Sequence, residues 1–350
     1  MHRKGLDVRS ARSSRLLLLA VAVIALLVAP AVLPDYPLSV LTEIVIFSLF
    51  VMSLNLLVGY TGLPSLGHSA FFGTGGYAVA LLAIRAHLSA IPALIVAVLA
   101  GIALALITGP FVLRTSGAYF LILTLSLTQV LFGIVWLWRG MTGGDDGLPG
   151  VPRPQLPFLS GVVGSWTNFY YVVLLVVAIA VATLWWVVRS SFGLTLVGIR
   201  ENERIVEGLG YPTWWTKYIV YILAGGYGAL AGGLFAYFKG YVGPGQLSWL
   251  TAGEALVMVI LGGAGTFWGP VLGATVVLLL RYEVSSFTQR WETILGLVFI
   301  LAVLFLPEGL ARLPDRIRDI RAKGRPAAAP AEQPAAEAVG STAIAERSEQ

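Results

Sequence analysis

Long apolar segments recur along the whole chain, and they constrain its fold more than any other feature. A helix needs about 20 consecutive, mostly apolar residues to cross a bilayer. Segments close to this length cover residues 16–33, 39–59, 69–84, 91–113, 117–138, 170–188, 218–238, 255–280 and 294–306. The sequence therefore predicts an all-α, polytopic membrane protein.

The composition excludes an ordinary soluble enzyme. Only 12% of the residues are charged, whereas soluble domains carry about 25%. The chain has no cysteine, which excludes disulfides and thiolate metal sites. None of the four lysines follows a glycine, so no phosphate-binding loop is present, and the three histidines lack metal-ligand spacing. We therefore expect neither a catalytic nor a metal site here, and transport is the remaining function class.

Basic residues predict the orientation. The segments 1–15 and 312–325 are rich in Arg and Lys, and cytoplasmic segments carry such an excess. If both ends are cytoplasmic, the number of crossings is even. Counting 255–280 as a broken, re-entrant hairpin gives about eight transmembrane helices and satisfies this rule. The net charge of +5 then reflects membrane topology, and nucleic-acid binding is not expected.

These patterns divide the chain into four parts. We predict a basic cytoplasmic lead over 1–15, a transmembrane domain over 16–311 that contains a cytoplasmic loop at 190–216, a basic cytoplasmic segment over 312–325, and a disordered tail over 326–350. The tail is rich in Ala, Pro and Glu and cannot build a core. As an alternative, 16–29 resembles a signal peptide, although its cleavage would break the even number of crossings.

Glycine and proline interrupt two of the apolar segments. Gly62 and Pro64 break the first, and the helix is expected to restart near Ser65. The second contains Gly262, Gly263, Gly265 and Pro270. A break leaves backbone N–H and C=O groups without partners inside the membrane, and these groups must hydrogen-bond to protein or to water in a cavity. Each break is therefore either a tight turn between spans or a discontinuous helix beside a substrate path.

The loop at 190–216 contains a short amphipathic helix. Its charged residues alternate with apolar ones, and Gly210 and Pro212 are expected to end it. A helix lying on the membrane surface is one interpretation. The mixed charge favours a protein partner instead. The charged residues are Arg200, Glu201, Glu203, Arg204 and Glu207.

Small residues spaced by four, at Ala224, Gly228, Gly232 and Ala236, predict a seam along which another helix approaches closely. The seam is a packing device and implies no chemistry.

Several of these segments together resemble one family of transporters. The stretches are Leu54-Asn-Leu-Leu-Val-Gly-Tyr-Thr-Gly, Ser65-Leu-Gly-His-Ser-Ala-Phe-Phe-Gly, Gly198-Ile-Arg-Glu-Asn-Glu and Val259-Ile-Leu-Gly-Gly-Ala-Gly-Thr-Phe-Trp-Gly-Pro. In this order, across about residues 36–312, they are similar to LivM-type permeases of branched-chain amino acid ABC transporters. Leu63-Pro64 departs from the family pattern, in which we expect a more polar pair.

The resemblance implies an ABC-importer permease fold in a bacterial inner or plasma membrane. It implies four kinds of partner: a homologous LivH-type permease, two cytosolic ATPase subunits, an extracytoplasmic substrate-binding protein and the small-molecule substrate. ATP and Mg²⁺ would bind to the ATPases, so this chain would hold no cofactor. The loop helix would couple to an ATPase through Arg200, Glu201, Glu203, Arg204, Glu207, Gly208 and Gly210.

Polar residues on the apolar segments are candidates for lining a substrate path, although each could instead hydrogen-bond a neighbouring helix. His68 is more readily interpreted as a structural residue than as a proton carrier. The candidates are Asn55, Ser65, His68, Thr124, Gln129, Glu254 and Thr266.

Three other functions stay open at this point. A permease of the same family could carry urea or short amides. A self-sufficient secondary transporter would need membrane-embedded acids, for which Glu43 and Glu254 are ill placed. A membrane scaffold would use the loop helix to bind a regulator.

Overall fold

A computed structural model describes residues 21, 23–154 and 166–287, and further along residues 290, 293, 294, 296, 297, 299, 300, 304 and 309–313. The predicted lead over 1–15, the tail over 326–350 and nearly all of the basic segment 312–325 lie outside these residues. The described elements are predominantly helical, as predicted. The helices are α1 (Val23–Val32), α2 (Asp35–Asn55), α3 (His68–Arg85), α4 (Ala90–Val112), α5 (Gly117–Leu137), α6 (Arg139–Thr142), α7 (Trp166–Arg189), α8 (Ser191–Gly208), α9 (Thr213–Lys239), α10 (Trp249–Gly262) and α11 (Gly269–Phe287).

Six helices among the described residues are long and apolar enough to cross a membrane. They are α2 with its continuation to Thr61, α4, α5, α7, α9 and α11. The segment predicted at 69–84 forms α3, which is helical throughout but is not among these six. The segments at 16–33 and 294–306 lie partly or largely outside the described residues. The chain is a multi-pass membrane protein, and the count of eight crossings stays a prediction.

Helix α9 lies at the centre, where its small residues let α3 approach closely. A Cβ atom on Gly232 would overlap the carbonyl oxygen of Phe72, and one on Gly75 would overlap the carbonyl oxygen of Ala229. This confirms the predicted small-residue seam. Helix α2 is also largely buried, whereas α4, α5 and α7 expose long apolar faces that suit contact with lipid.

The first interruption follows α2. A π-helical segment, Leu56–Thr61, continues α2, and Gly62 then adopts a left-handed conformation at φ 73°. Wide π-helical turns of this kind are uncommon and often occur at functional sites. Helix α3 begins at His68, three residues later than expected, and Ser65 lies in the connecting segment.

The second interruption joins α10 and α11 into an antiparallel hairpin. Gly263 and Gly265 both have positive φ, at 113° and 79°, which a residue with a side chain rarely adopts. A Cβ on Gly262 would overlap the carbonyl oxygen of Gly269, so the two helices touch backbone to backbone. Pro270 lies in the first turn of α11, where its missing N–H needs no partner. The predicted break is present. Helix α11 is among the six helices long and apolar enough to cross a membrane, so the re-entrant path of this hairpin stays a prediction.

The loop helix is longer than predicted, and it is divided. Helix α8 begins at Ser191, and Asn202 within it has extended backbone angles, φ −162° and ψ 100°. The Asn202 side-chain oxygen accepts a hydrogen bond from the Ile205 N–H at 3.2 Å, so Asn202 caps the second half of α8. That half ends at Gly208, and Gly210 follows with φ 88°.

A short antiparallel pairing links the loop after α6 to the end of α9. Strand β1 (Leu148–Pro149) pairs with β2 (Tyr241–Val242), with Leu148 opposite Val242.

Candidate functional site

Arg200 on α8 contacts the ends of both interrupted helices. Its Nη1 donates a hydrogen bond to the Gly59 carbonyl oxygen at 2.6 Å. A Cβ on Gly265 would overlap the same Nη1, and one on Gly59 would overlap the Gly265 nitrogen. The π-helical end of α2, the turn before α11 and the loop helix therefore meet at one point. The amphipathic pattern alone did not predict this meeting.

Asn55 satisfies backbone groups that the second interruption leaves free. Its side-chain nitrogen donates to the Thr266 carbonyl oxygen at 2.9 Å, and its side-chain oxygen accepts from the Gly265 N–H at 3.0 Å. The Thr266 hydroxyl donates to the Gly263 carbonyl oxygen at 2.7 Å. We call Asn55, Gly59, Arg200, Gly265 and Thr266 the break cluster. Protein groups thus meet these hydrogen-bonding needs, as the environment of a membrane requires.

The remaining charged residues of α8 fall into two groups. Glu203 pairs with Lys217 at 2.5 Å, and Glu207 accepts a hydrogen bond from the Thr213 hydroxyl at 2.6 Å, so both brace α8 against the start of α9. Glu201 and Arg204 are exposed. The apolar residues Ile205 and Leu209, which follow Arg204 in the sequence, are exposed, and Gly208 and Gly210 are exposed at the end of α8. We call Glu201, Arg204, Ile205 and Leu209 the α8 surface.

His68 is fully buried at the start of α3. Its Nε2 lies 2.7 Å from the Ser53 hydroxyl oxygen. Because that hydroxyl already donates to the Phe50 carbonyl oxygen at 2.6 Å, the imidazole is the donor in this pair. The ring also stacks on Phe50 at 5.3 Å. Among the described residues, Nδ1 has no hydrogen-bond partner.

Ser65 and Thr124 organise the connecting segment between the π-helical turn and α3. The Ser65 hydroxyl accepts from the Gly67 N–H at 3.1 Å, and the Thr124 hydroxyl accepts from the Leu66 N–H at 3.2 Å. Both side chains are buried. They fix the first interruption and attach α5 to it.

Gln129 differs from the other path candidates. It is exposed on α5, on the side away from the buried Thr124 and Thr128. Within the described part of the chain, its amide makes no hydrogen bond. It lies near the middle of a helix that is long enough to span a membrane, where an unsatisfied amide is costly.

A buried charge cluster lies at the opposite end of α2 from the break cluster. Glu43 has no exposed surface, and it accepts hydrogen bonds from Arg281, from the Tyr282 hydroxyl and, at 2.8 Å, from Lys239. Arg281 also pairs with Glu254 at 3.2 Å. Two acids and two bases from α2, α9, α10 and α11 thus neutralise one another.

The path candidates included Glu254, and the charge cluster was not predicted. Part of the signal was present, because Glu43 and Glu254 lie near the ends of predicted spans. What the sequence lacked was the tertiary contact that brings the four together. Ser53, the partner of His68, was missed for the same reason.

The protein consists of apolar helices packed on a small-residue seam. Protein groups satisfy both helix interruptions, and a partly exposed loop helix contacts both. These features define a multi-pass membrane permease subunit. Residues 36–306 match the family described as the branched-chain amino acid transport system permease component. The chain belongs to this family.

The chain is also similar to curated permeases. It is 27% identical to the high-affinity branched-chain amino acid transport system permease protein LivM of Salmonella typhimurium and of Escherichia coli. In both cases 89% of this chain and 79% of the relative are covered. It is 28% identical to the autoinducer 2 import system permease protein LsrC of Salmonella paratyphi B, over 81% of this chain and 83% of that relative. No solved structure matches the chain.

Proposed function

We propose that this permease is the membrane subunit of an ATP-driven importer of branched-chain amino acids. Its similarity to LivM over 89% of this chain supports this substrate class. The similarity to LsrC means that members of one family serve different substrates, and a permease for urea or short amides stays the alternative. Aliphatic side chains differ by single methylenes, which a pocket separates weakly. A separate substrate-binding protein would therefore do much of the selection.

The observation that carries the coupling part of this proposal is the contact of Arg200 with both interruptions. Two cytosolic ATPases would bind ATP and Mg²⁺ and dock on the α8 surface, which combines the exposed Arg204 with exposed apolar residues. A displacement of α8 on ATP binding would move the guanidinium, and with it the Gly59 carbonyl group and the turn at Gly265. Two distinct sites would thereby share one bistable element.

The charge cluster argues against a self-sufficient secondary transporter. Ion coupling needs an acid that gains and loses a cation or proton during transport. Glu43 is fully buried and accepts from three donors, and Glu254 pairs with Arg281. In the proposed mechanism both acids therefore stabilise the fold and do not couple ions to transport.

Purification from native membranes tests the proposal. The tagged chain should bring along two ATPase subunits and a second, LivH-type permease, identified by mass spectrometry, and leucine with its binding protein should stimulate ATP hydrolysis. Arg204→Glu should lose the ATPases. Arg114→Glu is the matched control, because Arg114 is an exposed arginine two residues beyond the end of α4.

Three results would each contradict one part of this proposal. Retention of the ATPases by the Arg204→Glu and Ile205→Asp variants would exclude the α8 surface as their docking site. Uptake of leucine by the chain alone, in vesicles without ATP, would overturn the ATP-driven mechanism. Stimulation of the complex by urea and not by leucine would leave the mechanism in place and replace the substrate.

A further inference from the structure

Two cavities adjoin one another at the end of the molecule that carries the charge cluster. The first, of about 280 Å³, lies between α4 and α7 over α9, and its wall includes Ile91, Leu94, Val172, Leu175 and Leu234. The second, of about 370 Å³, lies beneath the segment 152–154 and includes His87, Ser89 and Arg153. Ala90, Pro154 and Tyr237 border both. Together they form an apolar groove with a polar end.

The groove runs from a membrane interface into the apolar part of the molecule. It begins where α4 and α7 start and α9 ends, and on α7 it reaches from Asn168 to Val176, about 12 Å along the helix. Ile91 and Leu175 are 53% and 61% exposed, so the groove opens sideways between α4 and α7. That is the direction in which lipid tails lie.

The polar end offers a cation and a free hydroxyl. The Arg153 guanidinium stacks on Trp166 at 3.8 Å, and in the described chain it forms no ion pair with a carboxylate. Tyr237 is 1% exposed, and its hydroxyl has no hydrogen-bond partner among the described residues. A buried hydroxyl without a partner is costly, so a ligand that reached this one through the adjoining cavities would remove that cost.

We propose that this groove binds one phospholipid, with its phosphate against Arg153 and the Tyr237 hydroxyl and one acyl chain between α4 and α7. Arginine suits phosphate because its planar fork can donate two hydrogen bonds at once. The walls of both cavities contain no acidic residue. Within these two cavities a free amino acid would therefore leave its ammonium group unpaired, whereas a phosphodiester carries only negative charge. Asp35 borders a separate cavity, which Arg153 and Trp166 also line.

Lipid titration followed by native mass spectrometry tests this site. The delipidated protein, in whatever complex it purifies with, is titrated with phosphatidylglycerol. Arg153→Gln should weaken the tightest binding event about tenfold, which corresponds to about 1.4 kcal/mol, and Tyr237→Phe should weaken it by a smaller factor. Arg139→Gln should leave it unchanged, because Arg139 is an exposed arginine at the same end that borders neither cavity.

A second pair of variants tests the acyl-chain part of the groove. Leu175→Trp should fill it and weaken lipid binding, whereas Ile179→Trp should not, because Ile179 lies one turn further along the same exposed face of α7 outside the cavity. Equal thermal unfolding of the delipidated variants would show that they fold alike.

Equal binding by the wild-type, Arg153→Gln and Leu175→Trp proteins would overturn the proposal, as would binding without a saturable first event. Leucine binding that depends on Arg153 and competes with the lipid would also overturn it, and would assign the groove to substrate. None of these readouts requires transport, so they stand apart from the test of the importer.

Discussion

Arg200 donates a hydrogen bond from Nη1 to the Gly59 carbonyl oxygen at 2.6 Å, across 141 positions of the sequence. The same guanidinium lies against Gly265, whose N–H is bonded to Asn55. A single side chain therefore connects the loop helix with both interrupted helices.

Replacing Arg200 with Lys should uncouple the transporter without dismantling it. The ammonium nitrogen of lysine ends a shorter side chain than the guanidinium, so the contact with the Gly59 carbonyl group and the turn at Gly265 is expected to weaken. Substrate-stimulated ATP hydrolysis by the purified complex should fall at least about tenfold, a change of about 1.4 kcal/mol, while the ATPases stay bound. Arg114→Lys should match the wild type. Full stimulation in the Arg200→Lys complex would remove this residue from the coupling mechanism.

Gly59→Ala should destabilise the membrane domain, because the added methyl group would overlap the Gly265 nitrogen and the Asn55 side chain. Overpacking of this kind costs about 1–3 kcal/mol. Thermal unfolding followed by size-exclusion chromatography should show a lower midpoint. Gly253→Ala is the control, since nothing lies within 4 Å of its added Cβ. Equal unfolding midpoints for the two variants would mean that Gly59 can move away from Gly265 and Asn55 without loss of stability.

Glu43→Gln should be among the most damaging single changes in the charge cluster. It leaves Arg281 and Lys239 without the buried carboxylate that they share, and breaking a buried ion pair by removing one partner costs about 3–5 kcal/mol. The same thermal assay should show a large loss of stability, partly restored by the double change Glu43→Gln with Arg281→Gln. Asp35→Asn, at an exposed position of α2, should have little effect. A stable Glu43→Gln protein would contradict the structural role of the cluster.

His68→Gln should leave the pH dependence of uptake unchanged between about pH 6 and 8, the range in which histidines commonly titrate. The imidazole has no exposed surface and donates to Ser53, and a glutamine amide can also donate a hydrogen bond there. His68→Ala would lose this bond and the stacking on Phe50, and should lower stability instead. A shifted pH profile in the glutamine variant would restore His68 as a proton carrier.

Gln129 should face a water-filled path in the assembled transporter. Because the chain has no cysteine, a single Gln129→Cys variant can be probed with a membrane-impermeant thiol reagent in inverted and right-side-out vesicles. We expect labelling that substrate slows, and none at Ile179→Cys on the exposed apolar face of α7. Identical behaviour of the two positions would remove Gln129 from the path.

The apolar segments and the small-residue seam predicted the helical architecture well, because both depend on local composition. Gly62, Gly263 and Gly265 marked the interruptions correctly, since only glycine adopts positive φ readily. The positions of helix ends were less accurate: α3 starts three residues late because Ser65 and Thr124 hold the segment before it. The division of α8 at Asn202 was not predicted.

Contacts between residues that lie far apart along the chain could not be predicted from the sequence. Nothing in the local pattern around Arg200 distinguishes it from Arg204. Arg200 nevertheless contacts both helix breaks, whereas Arg204 forms no hydrogen bond or ion pair with the described residues. In the same way, Glu203 and Glu207 fit an ATPase contact by charge, and the structure pairs them with Lys217 and Thr213. The ATPase contacts themselves stay predictions.

Helix α2 is held at both ends, by the charge cluster at Glu43 and by the break cluster at Gly59. These two positions are about 24 Å apart along the helix axis. Each residue of an α-helix advances the chain by about 1.5 Å and turns it by about 100°. The angle around the helix axis between Glu43 and the Gly59 carbonyl group is therefore set by the number of residues between them and by the π-helical turn. An insertion or deletion of one residue between Glu43 and Gly59 would leave the helix just as apolar. It would nevertheless turn one of the two clusters away from the helices that it contacts.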